Sequence, residues 1–133
     1  MKSEESEGVT ALKESALSEQ SLDFAAKILS LAKRLRKDGD YIVSHQVGRS
    51  GTSIGANIRE AQYANSRADF IAKMHIALKE TNETVYWLEL LRRIKDISEI
   101  EFDSLLAECT SIRAMLVASI KTAKEGASCE KKE

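Results

Sequence analysis

Apolar residues recur every three or four positions through most of this chain, the period of a helix packed against a core. Phe24, Ile28, Leu31 and Leu35 set the rhythm in a first segment, with Leu22, Ala25, Leu29 and Ala32 widening the face. The pattern predicts helix one over residues 18–37 and helix two over residues 41–63, joined by Asp38-Gly39-Asp40. Asn65-Ser66 then breaks the chain, and Ser66-Arg67-Ala68-Asp69 has the form of a capping box with Asp in place of Glu. Helix three follows to about residue 95, with Phe70, Met74, Ala77, Thr81, Val85, Leu88 and Leu91 on one stripe. Ser98-Glu99-Ile100-Glu101 is a complete box, and helix four runs to about residue 124, burying Phe102, Leu105, Leu106, Cys109, Ile112, Leu116 and Ile120.

Connections of a few residues force consecutive helices to pack antiparallel. The expected fold is all-α, an up-down-up-down antiparallel four-helix bundle over residues 18–124. A polar, frayed tail (1–17) precedes it and a charged tail (125–133) follows. The complete absence of proline agrees with uninterrupted helices.

Helix two departs from a simple amphipathic pattern. Val43, Val47, Ile54, Ile58 and Ala61 form its apolar stripe, but Gln46, Ser50, Ser53, Asn57 and Glu60 share a neighbouring face, and Gly48, Gly51 and Gly55 repeat at helical spacing. Each glycine inside a helix costs roughly 1 kcal/mol relative to alanine, so three of them imply the close approach of another backbone. Buried polar groups need partners. Gln46, Arg49, Ser50, Ser53, Asn57 and Glu60 offer either a ligand site or, as the favoured expectation, an inter-helix hydrogen-bond and ion-pair network with Glu83 or Glu80 of helix three, with Arg49 and Glu83 as the expected ion pair.

The chain has 133 residues, 43% hydrophobic and 31% charged, which describes one globular domain. No apolar run approaches the ~20 residues of a membrane span. The acidic start MKSEESEGVT lacks the apolar centre of a secretory signal, and Cys109 and Cys129 show no disulfide or zinc spacing, so the cytoplasm is the expected location. The net charge of −1 conceals a segregation: −3 over residues 1–20, +4 over 21–97 and −2 over 98–133. Lys33, Arg34, Arg36 and Lys37 crowd the last turn of helix one and are the candidate nucleic-acid or partner-binding residues. Tyr86-Trp87 near Arg92-Arg93 is a weaker stacking candidate, and Trp87 is read as core or interface.

Enzymatic and metal chemistry find no support. A carboxylate-bridged di-metal site needs Glu-x-x-His on two helices, but Ile42 and Ala72 precede His45 and His75 at that spacing. Antiparallel packing places the two histidines at opposite ends of the bundle, so no catalytic residues, cofactor or metal are expected. Gly48-x-x-Gly51 lies inside a helical period rather than a nucleic-acid-binding loop, and no phosphate-binding fingerprint is present.

The runs RSGTSIGANIREA (Arg49–Ala61), SRADF (Ser66–Phe70) and IALKETNETVYWLELL (Ile76–Leu91) resemble the bacterial four helix bundle protein family, the 23S rRNA intervening-sequence proteins. The resemblance extends in register over about residues 18–121. That family is linked to open reading frames in intervening sequences of large-subunit ribosomal RNA genes, and a related branch includes the accessory proteins of diversity-generating retroelements. The resemblance implies an all-helical bundle, assembly as a homopentamer, no established enzymatic activity, and association with nucleic acid or a reverse transcriptase partner. The chain departs from the retroelement branch in lacking its strongly basic balance. Two functions follow as expectations: a non-enzymatic oligomeric adaptor for RNA or a nucleoprotein, or an oligomeric scaffold with protein partners alone. Helix three also carries a second apolar face, Ile76, Trp87, Leu90 and Ile94, which is expected to bury against another subunit.

Overall fold

A computed structural model describes the backbone of residues 4–132 and the side chains of residues 15–126. Its four helices are α1 (Glu4–Lys37), α2 (Ile42–Gln62), α3 (Arg67–Arg93) and α4 (Glu99–Lys132), with no strand among the described residues. Pairings across the helices fix the topology. Gly48, Gly51 and Gly55 of α2 face Ala32, Ile28 and Ser21 of α1, so one index rises as the other falls. The same antiparallel sense follows from Arg49 and Glu60 of α2 against Glu80 and Lys73 of α3, and from Lys27 and Arg34 of α1 against Glu108 and Glu101 of α4. The fold is the up-down-up-down four-helix bundle, closed where α4 meets α1 by contacts sparser than those along the other three seams.

Several boundaries follow from local chemistry. The Ser66 hydroxyl accepts the Asp69 amide at 3.0 Å and starts α3, and the Ser98 hydroxyl accepts the Glu101 amide at 3.1 Å at the start of α4. At the start of α2 the Asp40 carboxylate accepts the Val43 amide at 3.0 Å, so the linker aspartate caps the helix.

Both outer helices run longer than their periodicity suggests. The sequence reading starts helix one at Ser18, but α1 begins at Glu4. Ser18 and Ser21 do not terminate a helix: both are buried inside it, and Leu17, 2% exposed, extends the buried row of Phe24, Ile28, Leu31 and Leu35. No proline between Glu4 and Leu17 obliges the helix to stop. At the other terminus α4 continues past Lys124 to Lys132, with Gly126 lying against the Arg67 guanidinium. The side chains of 1–14 and 127–133, which make up most of the two expected tails, lie outside the described residues.

The main stripes make the core as expected, but the widened face of helix one does not: Leu22 and Leu29 are exposed and Ala25 half-buried, as is Leu106 on α4, and α3 differs as well. Thr84 is buried, whereas Phe70 and Val85 are half-buried. The second apolar face of α3 is divided: Trp87 and Leu90 are half-buried and pack against the core, whereas Ile76 and the C-capping Ile94 are exposed. Trp87 meets Tyr86 edge-on, ring centroids 4.9 Å apart, and its indole N–H has no hydrogen-bond partner among the described residues.

The glycines of α2 are not equivalent. A Cβ built on Gly51 would lie 2.5 Å from Ile28 Cγ2 and 3.0 Å from Ile28 Cβ, whereas at Gly48 the nearest atom is Ala32 Cβ at 3.4 Å. Ile28 is fully buried and stiff at χ1, so it has nowhere to move. Gly51→Ala is expected to destabilise the fold by about 1–2 kcal/mol, overpacking outweighing the gain in helix propensity. Gly48→Ala should be neutral or stabilising by up to about 1 kcal/mol. Denaturant unfolding of the two variants checks the contrast.

Cys109 is fully buried on α4. Burial, with the Glu108 charge adding and Arg113 opposing, pushes its thiol from an ordinary value of 9.0 up to about 12. Between those two pH values the unfolded chain loses the thiol proton and the folded chain keeps it, so folding weakens as pH rises. In a Cys129→Ser background, the stability advantage of Cys109 over Cys109→Ala should shrink from pH 9 towards pH 12 in denaturant titrations. An advantage independent of pH would contradict the burial of this thiol.

A candidate nucleic-acid interface at one end of the bundle

Antiparallel packing brings the C-termini of α1 and α3 and the N-termini of α2 and α4 to the same end of the molecule. Both C-termini close in the same way. Asp40 N–H donates to Leu35 O (2.9 Å) and Gly39 N–H to Arg36 O (3.0 Å) after α1. Asp96 N–H donates to Leu91 O (2.9 Å) and Lys95 N–H to Arg92 O (3.1 Å) after α3. This pairing requires a left-handed residue, usually glycine, just past the helix. Gly39 fills the position after α1 with φ 95°, but after α3 it is Lys95, with φ 64°. A side chain there costs on the order of 1 kcal/mol relative to glycine.

The four basic residues singled out in helix one do not act as a unit. Arg34 makes a two-pronged pair with Glu101 of α4, one contact at 3.0 Å, and the hydrogen bond to that carboxylate raises the guanidinium pKa. Arg36 lies 5.7 Å over the Tyr41 ring. Lys33 and Lys37 are exposed and have no ionic partner among the described residues. A second basic group, which the sequence reading attached only to Tyr86-Trp87, joins them from α3. Arg92 pairs with Glu99 at 3.1 Å and covers the Phe102 ring at 4.7 Å, while Arg93 and Lys95 are exposed without ionic partners among the described residues. The two acids of the first turn of α4, Glu99 and Glu101, are thus each neutralised by a neighbouring helix, and Asp40 is used in capping. Lys33, Arg36, Lys37, Arg93 and Lys95 remain for an external ligand against Asp38 and Asp96. The same end exposes Tyr41 (64%), Ile42 (78%), Ile94 (49%) and Ile100 (83%). The missed members had a readable signal: helices one and three both end in basic turns, and up-down topology must bring those ends together.

The polar face of α2 resolves into separate contacts. Arg49 pairs with Glu80 (3.2 Å) and with Glu83 across the seam to α3, and Gln46 sits 3.5 Å from the Arg49 Nε. Burial opposes the Arg49 charge, but the two carboxylates outweigh it and its pKa is raised. Glu60 pairs with Lys73 at 3.5 Å. Ser53 and Asn57 turn back on α2, donating to Arg49 O (2.7 Å) and Ser53 O (2.8 Å), so they are not inter-helix links. The buried connection to α3 runs between hydroxyls: Ser50 Oγ and Thr84 Oγ1 are hydrogen-bonded at 2.8 Å, both residues being fully buried, and Thr84 Oγ1 also lies 2.8 Å from the Glu80 carbonyl oxygen. His45 and His75 lie at opposite ends, at the starts of α2 and α3. Among the described residues no three His, Cys, Asp or Glu side chains gather as a metal site would require, and no helix is long and apolar enough to cross a membrane.

The fold and this surface define a helical bundle with a basic, partly apolar end. Comparison with known proteins gives it a family. A sequence model described as 23S rRNA-intervening sequence protein matches residues 13–118, and the chain belongs to that family. A solved structure is also similar, that of a protein with unknown function from the S23 ribosomal protein family of Bacteroides thetaiotaomicron VPI-5482, at 1.70 Å resolution. It is 49% identical, with a TM-score of 0.80, covering 82% of this chain and 98% of that one. No curated protein matches.

Arg49 should stabilise the α2–α3 seam modestly, because its side chain is 40% exposed. Arg49→Ala is expected to cost about 0.5–1 kcal/mol. The cost should largely vanish in a Glu80→Gln/Glu83→Gln background, as a double-mutant cycle by thermal unfolding would read out. An equal cost in both backgrounds would mean that the pairs contribute nothing in solution.

Proposed function

We propose that the protein is a non-enzymatic, cytoplasmic adaptor that assembles as a homo-oligomer and associates with RNA or a ribonucleoprotein through the basic end of its bundle. The observation that carries this reading is the convergence of Lys33, Arg36, Lys37, Arg93 and Lys95 on one end, where the nearby acids Glu99 and Glu101 are already paired. Each phosphate contacted releases counterions, so affinity climbs steeply with the number of contacts. Assembly multiplies that number, and the family resemblance favours a pentamer. Exposed Leu22 and Leu29 on α1 and Ile76 and Ile94 on α3 support a further buried surface between copies. The second reading, a scaffold with protein partners alone, draws on the net charge of −1 and on the apolar side chains of the same end.

Fluorescence anisotropy of a labelled ribosomal RNA hairpin, at low and near-physiological salt, tests the adaptor. Binding that weakens steeply with salt is expected, with loss on charge reversal of Lys33, Lys37 and Arg93 together. Absence of binding at low salt would overturn it and leave the scaffold. Sedimentation at micromolar concentration tests assembly, and a purely monomeric species would contradict it.

A further inference from the structure

We infer that the basic end takes unpaired nucleotides, with the Tyr41 ring as the surface on which a base stacks and Lys95 as a phosphate contact held in place by its backbone; this rests on the adaptor reading above. Tyr41 has no evident structural duty. The helix it precedes is capped by Asp40, its own side chain makes no cap hydrogen bond, and the residue stays 64% exposed. Arg36 covers one face of the ring at 5.7 Å, which leaves the other face for a base, with a positive charge next to it. Exposed aromatic faces among cations are how proteins hold single strands without reading sequence, because every base offers a π-face once it leaves a duplex. A ring held at the end of a helix bundle cannot reach bases stacked inside an A-form helix, whose major groove is deep and narrow.

Lys95 supplies an independent observation. Its counterpart at the end of α1 is Gly39, the residue that suits a left-handed position. The chain instead keeps a lysine at φ 64°, on the end that also carries Arg93, Lys33 and Lys37. Strain of this kind at a ligand-facing position is a trade of stability against binding.

The test uses the full chain and two labelled RNAs of equal length, an unstructured oligouridine and a blunt duplex, by anisotropy at low salt. The single strand should bind about tenfold more tightly. Tyr41→Ala should weaken single-strand binding about tenfold with little effect on the duplex, consistent with the stacking of one base, and Tyr41→Phe should restore it. Lys95→Gly should raise the melting temperature while weakening binding several-fold and reducing the salt slope by about one contact. Equal affinity for the two RNAs, or an unchanged Tyr41→Ala, overturns the stacking assignment while leaving the adaptor intact. A more stable Lys95→Gly with undiminished affinity overturns the assignment of Lys95. If neither RNA binds, the adaptor reading falls as well and the end is a protein-docking surface.

Discussion

The close approach of α1 and α2 at Gly51 is the constraint from which much of the arrangement follows. With no side chain at that position, Ile28 fills the space that a Cβ would occupy, and the two helices settle into one register. The register carries Ser44 to the Ala32 carbonyl, where its hydroxyl donates at 2.7 Å, and places Gly48 over Ala32 and Gly55 over Ser21. It also turns Ser50 and Arg49 towards α3, where Thr84 takes the buried hydroxyl and Glu80 and Glu83 take the charge. The position of α2 on α1 thus fixes what α2 can offer α3. α4 completes the ring through α3 and through two ion pairs to α1, Lys27 with Glu108 and Arg34 with Glu101.

Those ion pairs also shape the surface at the end of the bundle. Exposed pairs stabilise little, about 0–1 kcal/mol each. Their larger effect is to select which charges remain for a ligand. Glu101 takes Arg34 out of the basic cluster and Glu99 takes Arg92, while each arginine removes a carboxylate that would repel phosphate. What remains is a small field of lysine and arginine around an exposed tyrosine and three isoleucines. A chain with a net charge of −1 can therefore carry a local basic surface, because Glu99 and Glu101 are paired there and only Asp38 and Asp96 stand against its five cations.

The interior of the bundle was legible in the sequence because it depends on spacing. The stripes of α1, α2 and α4, the Ser66 and Ser98 caps and the Asp38-Gly39-Asp40 turn were all visible as patterns, and the RSGTSIGANIREA run carried the family. The start of α1 was not. The apolar rhythm was read only from residue 18, whereas Ser18 and Ser21 are small buried residues in mid-helix, Ser21 lying against Gly55 of α2. Ser50 was visible on the polar face of α2, but its partner Thr84 was hidden, since a hydroxyl pair leaves no charge signature. The candidate surface was half legible. Lys33, Arg34, Arg36 and Lys37 were found as a run, but Arg34 is consumed by a residue 67 positions away, and Lys95 matters through a backbone angle that no composition shows.

The site at which RNA touches the protein is the most direct test of a basic-end interface. Ultraviolet crosslinking of a bound ribosomal RNA hairpin, followed by peptide mapping, reports that location. The predicted result is adducts confined to peptides spanning residues 33–42 and 92–96, at the joined ends of α1 and α3. Adducts concentrated on the outer face of α2, or at the opposite end around residues 63–67, would contradict it.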